Sequence, residues 1–248
     1  VTGYYMKKAG EDVTLIARGE HLKKIQKQGL TLEKMWDKTE ENISIPATDM
    51  EHYAEHPDVI FVCVKGYSLQ ETIPFIKRIA RKNTIVIPVL NRYGTGGKMQ
   101  KELPDLLVTD GCIYVSANIK EPGKLLQHGQ ILHIVFGVRD KAEFRPELKE
   151  IQKDLCDSHI DGTLSENIRR EALEKFSYVS PIGAAGLYYH ATAADFQKEG
   201  EARELFKTMI KEIAALAEAM GVPFQKDMAE VNLKILSNLA PEATTSIK

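Results

Sequence analysis

Cysteine is scarce in this sequence, with three residues, Cys63, Cys112 and Cys156, among 248. An odd number at wide spacing excludes a disulfide framework and leaves no CxxC pair for a metal. Cys63 and Cys112 sit in apolar, strand-like stretches. Both are expected to be buried reduced thiols, which points to a reducing compartment, the cytoplasm. Long apolar runs are missing too: the longest, Val59 to Val64, has six residues. A membrane-spanning helix needs about 20, so no membrane partner is expected. There is no excess of one charge, with 33 basic residues against 35 acidic ones, a net of −2. The basic footprint of a nucleic-acid binder is therefore absent. The opening residues, Val-Thr-Gly-Tyr-Tyr-Met-Lys-Lys, lack the apolar core of a signal peptide. His52 and His56 stand four apart without a third ligand, and no HExxH occurs, so no metal is expected. Ten prolines and seventeen glycines are too few for a fibrous or linker-like chain.

What remains is ordinary globular usage, 43% apolar and 27% charged. Tyr4 to Gly10 reads as the last turns of a helix, with Lys7 and Lys8 near its end and Gly10 just past it. Val13 to Ala17 reads as a strand. This is half of a βαβ unit whose first strand precedes the sequence. A helix over His21–Gln28 and a short strand over Ile43–Ile45 follow. Val59–Val64 is continuously apolar, as a strand buried on both faces of a parallel sheet would be. Leu69–Ala80 is helical, Thr84–Leu90 is another buried strand, and Gly96–Leu103 is a short helix. Cys112–Lys120, Lys124–His128 and Ile131–Val138 read as strands separated by turns at Pro122-Gly123 and Gly129. They add an antiparallel edge to the sheet. Glu147–Cys156 is a further helix. From about Ser165 onward only helices are expected, the first capped by Ser165 and running through Lys175 to about Tyr189. Ala202–Met220 and Gln225–Leu239 complete the set. The predicted fold is an α/β, Rossmann-type, mostly parallel sheet with an antiparallel edge, followed by an all-helical domain. The domains are residues 1–162 and 163–248.

Ligands of open α/β sheets bind at the carboxyl ends of the strands. An acidic residue at the end of the second strand bonds the ribose of NAD, whereas an Arg suits the 2′-phosphate of NADP. Here Leu15-Ile16-Ala17-Arg18 ends in Arg, whose fork fits a phosphate. A solvated surface Arg is the alternative. The diagnostic GxGxxG would precede Val1. Lys65 and Asn91 each end a buried strand, positions open to a ligand or to plain loop polarity. Gly94-Thr-Gly-Gly-Lys98 fails the P-loop pattern and reads as a turn into a helix that packs close to a ligand or another backbone. Lys175, set in Leu173-Glu-Lys-Phe176, is either a snorkelling helix Lys or a proton donor.

In order along the chain, Val13-Thr-Leu-Ile-Ala-Arg-Gly-Glu-His-Leu22, Val64-Lys65, Asn91, Asn118-Ile-Lys-Glu-Pro-Gly123 and Glu174-Lys175-Phe176 resemble the ketopantoate reductases over essentially the whole length. The resemblance implies NADPH-dependent reduction of a small 2-keto acid, 2-dehydropantoate or another, with a place in pantothenate and coenzyme A synthesis. It implies cofactor contacts at Arg18, Lys65, Asn91 and Ala117, a catalytic Lys175, and substrate contacts at Asn91, Lys175 and Ser246. A homodimer is compatible with it. Some positions depart from the family pattern. Val179, Gly183 and Ala193 stand where the family places asparagines, and Arg92 follows Asn91 where Gly is usual. The family's acidic active-site residue would lie past Lys248. These departures also fit a catalytically silent NADPH sensor, which would bind the cofactor without turning over any keto acid.

Overall fold

The structure, a computed structural model, describes residues 1–243. It divides into two compact units. The first comprises Val1–Leu90 and Gly94–Glu166; the second joins Asn91–Tyr93 to the chain from Asn167 onward.

In the first unit the elements run α1 (Thr2–Ala9), β1 (Leu15–Ile16), α2 (Gly19–Gln28), β2 (Leu30–Lys34), β3 (Thr39–Ile43), β4 (Ala47–Thr48), β5 (Val59–Val62), α3 (Leu69–Ile79), β6 (Ile85–Pro88), α4 (Thr95–Glu102), β7 (Leu107–Val108), β8 (Asp110–Glu121), β9 (Lys124–Gly137), α5 (Glu147–Asp157) and β10 (Asp161–Leu164). Five of the seven strand pairings among the described residues are parallel. β6 explains why its sequence is continuously apolar. Ile85 and Ile87 face a core formed with β9 and α5, through Ile134, Phe136, Leu148 and Leu155. Val86 faces the opposite way, onto Ile73 and Ile76 of α3 and Met99 of α4. Both faces are covered, so alternation with polar residues is lost. The second unit holds α6 (Ile168–Tyr188), α7 (Ala193–Gln197), α8 (Glu201–Ala219) and α9 (Met228–Ser237). Its main core gathers Ala185, Phe196, Phe206, Ile210 and Leu236. Tyr178 meets Phe206 edge-on, with ring centroids 6.3 Å apart.

Several expectations need correction. Gly129 does not turn the chain: β9 runs straight through it. Val115 pairs with Leu132 but Ala117 pairs with Gln127, so residues 128–131 form a bulge. Glycine in a strand commonly marks such a site. The two halves of β9 then serve different parallel neighbours, β2 at 124–127 and β10 at 133–136. The expected strand at Ile43–Ile45 is instead the end of a β2–β3 hairpin. Its turn is held by the Asp37 carboxylate, which accepts from the backbone N–H of Thr39 at 3.0 Å and from its hydroxyl at 2.6 Å. Cys63 is exposed rather than buried, one residue past the end of β5 at Val62. Cys112 is buried and Cys156 exposed.

Ser165 does not cap α6. Its N–H bonds the carbonyl of Phe136, continuing the β10 ladder. The cap is Asn167, whose side-chain oxygen accepts from the N–H of Arg170 at 3.2 Å. An N-cap side chain satisfies one of the donors a helix leaves open in its first turn. We expect Asn167→Ala to destabilise the chain by about 1 kcal/mol and Asn167→Ser to restore most of the loss. Urea midpoints of the three proteins check this; equal midpoints would show that the cap carries no stability.

Candidate functional site

Lys175 lies about two turns into the long helix α6 and is only 8% exposed. A buried ammonium needs a partner, and Nζ donates a hydrogen bond to Asn91 Oδ1 at 2.6 Å. Such charge-assisted bonds are shorter and stronger than neutral ones. Asn91 follows β6 in sequence, yet Asn91–Tyr93 belongs to the helical unit. The reason is visible beside it: Tyr93, two residues on, and Phe176, next to Lys175, pack ring against ring at 6.4 Å, flanking a core of Leu173, Ile213, Ala217 and Val222. This aromatic contact draws the strand-end segment to α6 and delivers the Asn91 amide to Lys175. Next to Lys175, burial pushes the Glu174 carboxyl above its usual range, and the like charge of Glu171 adds to the rise.

A second polar contact holds α6 at this point. Asn232 on α9 is buried and donates to Ser177 Oγ at 3.0 Å, while that hydroxyl donates to the Glu174 carbonyl at 2.7 Å. Sequence reasoning missed Asn232. The signal is one amide within the otherwise apolar Val231-Asn-Leu stretch, at a position that a helical reading places inward. Val179 and Gly183 follow Lys175 at i+4 and i+8, so the three share one face of α6. Gly183 is buried and Val179 half-buried. Ala193 opens α7, where its N–H bonds the Ala243 carbonyl.

The first unit holds the remaining candidates. Arg18 ends the β1 segment in extended conformation and is the N-cap position of α2. Its side chain is exposed, and Nη1 lies 3.8 Å from Glu71 Oε2 in the first turn of α3. Lys65 is exposed just past β5, where its carbonyl accepts the N–H of Ser68. Ala117 is exposed on β8, opposite Gln127. The structure therefore brings Lys175 and Asn91 together in one unit, with Arg18, Lys65 and Ala117 in the other. Ser246 lies outside the described residues.

The Gly94–Lys98 turn closes on protein rather than presenting open backbone. The Gly96 N–H bonds Asp110 Oδ1 at 2.8 Å. A Cβ at Gly96 would stand 2.0 Å from the Thr109 carbonyl oxygen, so only glycine fits. Among the described residues, no three His, Cys, Asp or Glu side chains gather where they could hold a metal ion. No helix among them is long and apolar enough to cross a membrane.

Comparison with known proteins identifies the family. The family model for ketopantoate reductase matches residues 1–141, and the model for the C-terminal part of the same family matches residues 167–248. A 2-dehydropantoate 2-reductase from Pyrococcus horikoshii is 29% identical over 195 residues, covering 74% of this chain and 59% of the relative. Among solved structures, a ternary complex of D-mandelate dehydrogenase with NADH and anilino(oxo)acetate superimposes with a TM-score of 0.84 at 19% identity, covering 99% of this chain and 79% of the other. A dimeric ketopantoate reductase from Staphylococcus aureus gives a TM-score of 0.81 at 20% identity, covering 99% and 78%. With both of its units matched, the chain belongs to the ketopantoate reductase family and is an oxidoreductase acting on a CH–OH group.

Proposed function

We propose that this protein reduces a small 2-keto acid to the 2-hydroxy acid with NADPH, and that Lys175 is its proton donor. The observation that carries the reading is the buried Lys175 ammonium held at 2.6 Å by Asn91. When bound, the nicotinamide supplies the hydride that reduces the carbonyl carbon. Negative charge then grows on the carbonyl oxygen. A buried cation beside it stabilises that charge and gives up a proton, while Asn91 sets its direction. Arg18 and Lys65 supply positive charge and Ala117 a backbone contact for the cofactor. The residues fit it: β1 ends in an exposed guanidinium where α2 begins, the position that reads the adenosine ribose in such folds. If the substrate is 2-dehydropantoate, the product is pantoate, on the route to pantothenate and coenzyme A. A homodimer is in keeping with the dimeric relative, and a cytoplasmic setting with a family of biosynthetic reductases.

The test is NADPH oxidation with a panel of 2-keto acids. Turnover with none of them, despite NADPH binding, would replace the reading with a sensor. Arg18→Ala should weaken NADPH by about tenfold, or about 1.5 kcal/mol, the lower end for bonds to charged groups because Arg18 is exposed. NADH should bind nearly as before. Cofactor titrations check this, and equal losses would remove Arg18 from 2′-phosphate recognition.

A further inference from the structure

The Arg18 guanidinium already has an anionic neighbour. Glu71 Oε2 stands 3.8 Å from Nη1, on a different element, in the first turn of α3. We propose that Glu71 is a specificity-determining residue that opposes the 2′-phosphate at Arg18 and narrows this protein's preference for NADPH over NADH. The inference rests on the reading of Arg18 as the 2′-phosphate contact.

The argument is electrostatic. The Arg18–Glu71 pair is exposed on both sides, so it adds little to stability and breaks readily. A 2′-phosphate reaching the guanidinium would displace the carboxylate from this loose contact. Glu71 would not travel far, because it is anchored on α3, whose N-terminal end favours negative charge there. The phosphate is close to a dianion at neutral pH. A like charge held nearby on the surface weakens binding by a few-fold, and by less as salt rises. NADH meets the same carboxylate with a neutral ribose hydroxyl. That group can donate a hydrogen bond to Glu71 rather than repel it. The same residue therefore penalises one cofactor and tolerates the other. Glu20, at the start of α2, is instead paired with Lys23 at 2.7 Å.

The experiment titrates NADPH and NADH into the full chain and into Glu71→Gln, Glu71→Ala and Arg18→Ala, with Glu150→Gln on α5 as a remote charge control. Nicotinamide fluorescence gives each Kd. Glu71→Gln should tighten NADPH by about three- to tenfold, leave NADH unchanged or slightly weaker, and lose most of this effect at high ionic strength. Glu71→Ala should tighten NADPH similarly, and Glu150→Gln should do neither. An unchanged NADPH-to-NADH ratio in both Glu71 variants, with Arg18→Ala still losing NADPH selectively, would overturn the role of Glu71 and keep that of Arg18. Equal loss of both cofactors in Arg18→Ala would overturn the reading of Arg18, and the inference with it.

Discussion

Lys175→Ala should lower kcat by at least about 100-fold while leaving the NADPH Kd within a few-fold of its value in the parent protein. The magnitude follows from the chemistry. Positioned proton transfer typically contributes about 10²–10⁴-fold, and a buried ammonium also stabilises the oxyanion as it forms. The location supports the lower limit at least. Lys175 is buried, its Nζ is tied to Asn91 at 2.6 Å, and ring packing between Tyr93 and Phe176 holds Asn91 against α6. No water held at that spot would carry the same fixed charge. The substitution should not unfold the chain, since Ala has the higher helix propensity. It does leave the Asn91 side-chain oxygen without this donor, at a cost of about 1–3 kcal/mol. Lys175→Met is the companion variant, keeping the length of the stem without the charge. The measurement is kcat under saturating NADPH, with circular dichroism to confirm folding. Near-normal kcat in either folded variant would take Lys175 out of the mechanism.

The Lys175–Asn91 pair was half legible in the sequence. Lys175 stood out as a charge among apolar neighbours, and Asn91 as a polar residue at a strand end. Nothing local said that they meet. Their contact spans 84 positions and depends on Tyr93 packing on Phe176, a long-range event that neither segment encodes alone. The same limit explains the other misses. Gly129 carries a turn residue's signature, but β2, β8 and β10 all pair with β9, and that pairing holds the chain straight with a bulge. Asn167 and Ser165 are both good caps by residue type; the β10 ladder keeps Ser165 in the sheet, so the helix starts only after Asn167. Cys63 belongs to a run that looks doubly buried, but the strand stops at Val62, one residue short of it. By contrast, the parallel α/β pattern and the helices of the second unit were legible because their apolar periodicities are local. Gly3 packs closely as well, since a Cβ there would stand 2.7 Å from the Leu15 side chain.

Ketopantoate should be a poor substrate compared with a 2-keto acid carrying a larger apolar side chain. Lys175, Val179 and Gly183 share one face of α6, so the surface leading away from the ammonium is a valine and then a buried glycine. The family places asparagines at both positions, and a third where Ala193 begins α7. None of the three side chains here can donate or accept a hydrogen bond. Ketopantoate brings a hydroxyl as well as its carboxylate. Each neutral bond lost costs about 0.5–1.5 kcal/mol and a charged one up to about 3. Two such losses reduce kcat/KM by roughly 10- to 1000-fold. The apolar face compensates a different ligand: burying one methylene contributes about 0.8 kcal/mol, so a branched or aromatic side chain recovers what the missing amides forfeit. Val179→Asn should shift the balance back, raising kcat/KM for ketopantoate while lowering it for the apolar acids. Gly183→Asn tests the same face, but it forces a side chain into a buried position and is the weaker probe. The measurement is kcat/KM across the panel for the parent protein and Val179→Asn. Ketopantoate turned over at above about 10⁵ M⁻¹s⁻¹, and faster than every analogue, would sink the argument from the apolar face. Its hydroxyl and carboxylate would then be bound by groups elsewhere, and the ordinary substrate of the family would be that of this chain.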